Sequence, residues 1–141
     1  MPILLTRQKD DVLAKSQPCD FSDPSLNQIV EQQTTIEEMK KRCDRYKQLL
    51  ASLQPPQDNT MIRAANFTTD SVLQMIQQSP SSSFIRVYYG IEESGEHVLF
   101  MAPVTEAGTL AAEEETIYVD DCCRCPPLSN CPADGLLEEQ P

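Results

Sequence analysis

Residues 84–104, FIRVYYGIEESGEHVLFMAPV, decide the fold. Two runs rich in β-branched and aromatic residues, 84–91 and 97–104, flank Glu93-Ser94-Gly95. That is the pattern of a β-hairpin. A three-residue hairpin loop ends on a residue at positive φ, and Gly95 suits that place because it has no Cβ to clash. The loop sets a register in which Glu92 faces Glu96, Tyr89 faces Leu99, Val87 faces Met101 and Ile85 faces Pro103. Side chains alternate across a strand, so these pairs share one face. That face is almost wholly apolar and is the expected core side. The opposite face pairs Tyr88 with Phe100, Arg86 with Ala102 and Phe84 with Val104. It too is apolar apart from Arg86. A two-stranded ribbon is not stable alone in water, so further elements must cover it.

Working upstream, a capped helix precedes the hairpin. Thr68 is its expected N-cap, Phe67 and Val72 can form a hydrophobic staple, and Val72, Leu73, Met75 and Ile76 make an apolar stripe. Pro80 and Ser81 to Ser83 end it. Residues 54–66 read as a linker with a candidate edge strand at Met61-Ile62. Before that, Asp23 as cap and Pro24 at the first helical position open a long helix that Pro55-Pro56 closes. Residues 24–53 would span about 45 Å. Ile29, Ile36, Cys43 and Leu50 recur every seven residues, with Met39, Tyr46 and Leu53 in the offset position. This is an a/d-like seam. Packing on the protein's own sheet is the favoured use of it, and a homodimer through the long helix is the alternative. Residues 1–22 read as a frayed arm.

Downstream, Thr105 to Gly108 form a second turn and residues 116–119, TIYV, a third strand. The expected fold class is α+β: a long N-terminal helix and a shorter helix packed on a small antiparallel β-meander, with a Cys/Pro-rich C-terminal tail. The organisation is an arm at 1–22, one domain at 23–121 and a tail at 122–141.

The helix, the strand Arg86-Val87-Tyr88-Tyr89-Gly90, the Gly turn and Cys125-Pro126-Pro127 resemble a group of small bacterial proteins. In that group a charged helix and a capped helix precede a strand similar to RIYYG, and a CPP-like C-terminus follows. The likeness spans residues 35–131. It implies the architecture and carries no activity.

The chain has 141 residues and a formal charge of −11. Such a balance repels nucleic acid and anionic membranes, so neither is an expected partner. Between Arg86 and Arg124 there are nine acidic residues and no Lys or Arg. A solvated face is the plain account; a surface for a basic protein partner is the sharper one. No secretory pattern opens the sequence and no window has the apolar length of a membrane span, which predicts a cytoplasmic protein with reduced thiols.

Four of the six cysteines lie close together, Cys122, Cys123, Cys125 and Cys131. In a cytoplasmic chain they are candidate ligands for zinc or copper, with disulfides or free thiols as the competing outcomes. Zinc sites usually pair cysteines at C-x₂₋₄-C spacing, and adjacent Cys122-Cys123 departs from it. Without metal the tail is expected to be extended and poorly packed. Enzyme motifs are absent, and the single histidine, His97, sits at a strand end. The sequence therefore points to a non-enzymatic protein-interaction module, with Phe84, Arg86, Tyr88 and Phe100 as the candidate binding face. A metal-binding or redox-responsive protein is the alternative.

Overall fold

The computed structural model describes residues 1–7, 19–21, 23–105, 116–126 and 135–137. The fold is α+β. In chain order the elements are β1 (Ile3–Arg7), β2 (Ile29–Gln33), α1 (Ile36–Ser52), β3 (Ala64–Asn66), α2 (Thr69–Gln78), β4 (Ser82–Ile91), β5 (His97–Thr105), β6 (Val119–Asp120) and β7 (Cys123–Cys125). They form three antiparallel sheets: β1-β2, β3-β7 and β4-β5-β6.

The hairpin has the expected register. Tyr89 opposes Leu99, Val87 opposes Met101 and Ile85 opposes Pro103. Gly95 has φ +89°, its N–H donates to Glu92 O at 2.8 Å, and the Glu92 N–H donates to Glu96 O at 2.9 Å. The third strand is shorter and later than expected, with Val119 beside Met101.

The long N-terminal helix is not one helix. Asp23 does act as a cap, accepting from the Ser25 N–H at 3.0 Å, but of a single 3-10 turn at Pro24–Leu26. The β-branched pair Ile29-Val30 then enters β2, which pairs with β1. Residues 3–7 are thus a strand and not part of a frayed arm. The true helix starts after Thr35, whose Oγ1 accepts from the Glu38 N–H at 3.0 Å. A hydroxyl cap followed three residues later by Glu is the capping-box pattern, and it outcompetes the Asp23 signal. Ile29 drops out of the heptad seam, which shortens it to the 36–53 portion.

The tail is corrected too. Cys123, Arg124 and Cys125 pair with Asn66, Ala65 and Ala64, and Cys125 is buried. Arg63 N–H donates to Cys125 O at 2.7 Å and Cys122 N–H to Asn66 O at 2.8 Å. Main-chain bonds and the burial of Cys125 and Pro126 hold this segment; expecting it to hang free overlooked its ability to complete a two-stranded ladder. The strand lies at Ala64–Asn66, just after the Met61-Ile62 candidate.

Met75, Ala102, Pro103 and Val104 are the most deeply buried residues, joined by Leu50, Ile62, Val98, Val119 and Leu137. α2, capped by Thr68, packs on β5 and β6. β5 is the central strand, paired with β4 on one edge and β6 on the other. Among the described residues β4 is an edge strand.

Candidate functional site

Among the described residues, the free edge of β4 is the most distinctive exposed feature. On the face of Ile85, Val87, Tyr89 and Ile91, the expected core side, these four residues are 43%, 53%, 42% and 64% exposed. Along β4 the other face is the more covered one. Val98, Ala102 and Val104 are buried there, and Phe84, Arg86, Tyr88 and Phe100 are half-buried. Arg86 is accommodated on this covered face because its Nη1 donates to the Tyr88 hydroxyl at 3.2 Å and its guanidinium lies 5.4 Å from the Phe21 ring centroid. A guanidinium over an aromatic face keeps a favourable electrostatic partner when water is excluded. Tyr88 stacks on Phe100 with ring centroids 5.1 Å apart. The structure thus places Phe84, Arg86, Tyr88 and Phe100 on one face of the sheet, with the Phe21 ring beside Arg86.

The backbone of β4 has a definite phase. The Glu92–Glu96 bond makes that pair a hydrogen-bonded one, so the pairs 90/98, 88/100, 86/102 and 84/104 exchange ladder bonds with β5. Pro103, which has no N–H, falls opposite Ile85 in a pair that exchanges none. Leu99 shows the same phase from the other side. Its N–H donates to Asp121 Oδ2 at 2.8 Å, and its carbonyl accepts from Asp121 N–H at 3.0 Å, both away from β4. It follows that Ile85, Val87, Tyr89 and Ile91 turn their N–H and C=O groups to the open side. The residues with exposed apolar side chains are the ones with outward backbone groups.

Surroundings extend and stiffen this edge. Ile76, Phe84 and Ile85 line a depression of about 400 Å³ at the start of the strand. At the other end, the Tyr89 hydroxyl accepts from the Ile62 N–H at 2.9 Å and lies 2.9 Å from His97 Nδ1. Tyr46 of α1 stands near it. Partial burial first, and the proximity of Tyr89 second, push the Tyr46 phenol above its ordinary range.

A second cluster sits behind β5. Arg124 donates to Asp121 Oδ1 and to Glu96 Oε2, each at 2.8 Å. The Asp121 side chain is 1% exposed and that of Arg124 15%. Burial alone would lower the Arg124 pKa; the hydrogen bond to Asp121 and the charges of Asp121, Glu96 and Glu92 outweigh it and raise it. This is a structural clamp holding the hairpin to β7. A solvated face as the plain account of the acidic stretch overlooks this role of Asp121; the signal was Arg124, the first cation after that stretch.

The candidate metal ligands do not assemble as four thiolates. Cys122 and Cys123 are exposed free thiols with their sulfurs 4.0 Å apart, whereas Cys125 is disulfide-bonded. Cys131 lies outside the described residues. Among the described residues no group of three or more His, Cys, Asp or Glu side chains is placed to hold a metal ion. The shared hydrogen bond with Cys122, then partial burial, then the charges of Cys122 and Asp121 raise the Cys123 pKa. Among the described residues no helix is long and apolar enough to cross a membrane.

No family model matches the chain, and neither a curated protein nor a solved structure matches it.

Proposed function

We propose that the protein is a non-enzymatic interaction module that takes an extended protein segment onto the free edge of β4. One observation carries this reading: the four residues with outward backbone groups also expose their apolar side chains on one face. Strand addition needs both, main-chain groups for affinity and alternate side chains for selectivity. Native edge strands are usually blunted by a Lys, a Pro or a short length. β4 is ten residues long and contains neither Lys nor Pro. The Phe84, Arg86, Tyr88 and Phe100 face supports the strand from behind. The test uses the full chain against a library of ten-residue peptides. Wild type should retain peptides with alternating apolar residues, and Val87→Lys should not. Bound peptide should protect the amides of Ile85, Val87, Tyr89 and Ile91 from hydrogen exchange; protection confined to other elements would refute the reading.

A cytoplasmic location belongs to the same proposal. Cys19, Cys122 and Cys123 are exposed free thiols, the state a glutathione-reduced compartment maintains. The disulfide at Cys125 pulls the other way. Alkylation before cell lysis reads both.

The adjacent Cys122 and Cys123 thiols favour a second reading, a redox-responsive protein. An oxidant that changes peptide retention in wild type but not in Cys122→Ser or Cys123→Ser would support it.

A further inference from the structure

We infer that the segment received by β4 is β4 of a second copy of this chain, antiparallel to the first about a two-fold axis at Tyr88. The inference rests on the strand-addition reading and names its occupant.

The register follows from side chains and charges. Outward-facing residues must oppose outward-facing residues for main-chain bonds to form. A two-fold at Tyr88 sets Ile85 against Ile91 and Val87 against Tyr89, twice each by symmetry. Every exposed apolar residue of the edge then meets another. The same register sets Arg86 against Gly90 and makes Glu92 its diagonal neighbour across the interface, about 7–8 Å away between backbones and within reach of a long side chain. A two-fold at Arg86 would instead put two guanidiniums directly opposite each other, and one at Val87 would put them on the diagonal. Like charges in those places are destabilising. A two-fold at Tyr89 would bring Arg86 directly opposite Glu92 but would set Ile85 against Glu93, so the Tyr88-centred register is the one that matches every exposed apolar residue while keeping a cation of each copy near an anion of the other.

The net charge of −11 does not forbid self-association in this geometry. Glu92, Glu93 and Glu96 sit at one end of β4, and the strand's other end, Ser82-Ser83, is neutral. Antiparallel pairing sends the two acidic turns to opposite ends, about 30 Å apart for strands of this length. That is several times the screening length of about 8 Å at physiological ionic strength. A parallel arrangement would stack the turns together.

Sedimentation equilibrium of the full chain, from micromolar to hundreds of micromolar, tests the inference. Wild type should dimerise. Val87→Lys, at a half-exposed site where the fold tolerates it, should raise the dissociation constant by at least about 30-fold by placing two charges in the new ladder. Glu92→Lys and Glu93→Lys change the net charge equally, so they separate register from bulk repulsion. Glu92→Lys should weaken the dimer by about 3- to 10-fold through loss of the Arg86 neighbour, and Glu93→Lys should leave it unchanged or tighter. Equal tightening by both would overturn the register. Wild type that stays monomeric throughout overturns the second copy as occupant. If that monomer still retains extended peptides that Val87→Lys loses, the strand-addition reading survives; if it retains none, both fall.

Discussion

Arg124 Nη1 donates to Asp121 Oδ1 at 2.8 Å, and the carboxylate that receives it is almost wholly out of solvent. The second Asp121 oxygen accepts from the Leu99 N–H. One side chain therefore ties β5 to the strand that carries Arg124. Asp121→Ala should lower stability by about 2–3 kcal/mol, because it leaves the Leu99 amide without its acceptor and a largely buried guanidinium with only the exposed Glu96. Glu96→Ala removes the other partner of Arg124 at a site 58% exposed, and should cost under about 1 kcal/mol. Urea midpoints of the two variants check this; equal losses would contradict the ranking.

Gly95 is required for its backbone and not for its space. A Cβ there would meet nothing within 4 Å, but φ is +89°. Gly95→Val should destabilise by more than about 1 kcal/mol through strain alone. At Gly90 the reverse holds: φ is ordinary, and a Cβ would approach Phe100 to 3.4 Å and Val98 to 3.7 Å. Gly90→Ala should shift the Phe100 ring resonances in an NMR spectrum, whereas Gly95→Val should leave them in place in the folded fraction.

The hairpin was legible because its information is local. Loop length, one glycine and strict alternation are enough to set eight residue pairs, from Phe84–Val104 to Ile91–His97. The helix boundary at Thr35 was legible in principle from Thr35-x-x-Glu38 but was masked by a heptad pattern running through Ile29. The β1-β2 and β3-β7 pairings were not legible. Their partners are far apart in sequence, and short segments such as Ala64–Asn66 carry no periodic signal. The exposed face of β4 was misassigned for a third reason. Both faces are apolar, and a single arginine marks the solvent side only if nothing is present to receive it; Phe21, far away in sequence, receives Arg86.

Tyr89 ties that exposed edge to the core through its hydroxyl, which takes the N–H of Ile62, a residue 5% exposed. Tyr89→Phe keeps the ring and removes the acceptor. An unsatisfied amide in this position should cost about 1–2 kcal/mol. Hydrogen exchange at Ile62 should accelerate more than at the amides of the central strand. An unchanged Ile62 rate would mean that another group serves that amide.

Cys123 provides a pH signature. Its pKa is raised, first by the hydrogen bond it shares with Cys122, then by partial burial and by the charges of Cys122 and Asp121. A raised thiol pKa means that the folded state favours the protonated form. The associated stabilisation is present below the unfolded pKa and is lost as pH rises through the folded value. Only the thiolate reacts with iodoacetamide, so alkylation of Cys123 should need a higher pH in the folded protein than in urea. Cys122→Ser removes the neighbouring ionisable sulfur and leaves a hydroxyl that can donate to a Cys123 thiolate. It should move the Cys123 profile back toward the unfolded one. Peptide mapping by mass spectrometry across a pH series reads each cysteine separately. A folded Cys123 profile matching the profile in urea would show that the 4.0 Å sulfur pair does not persist in solution.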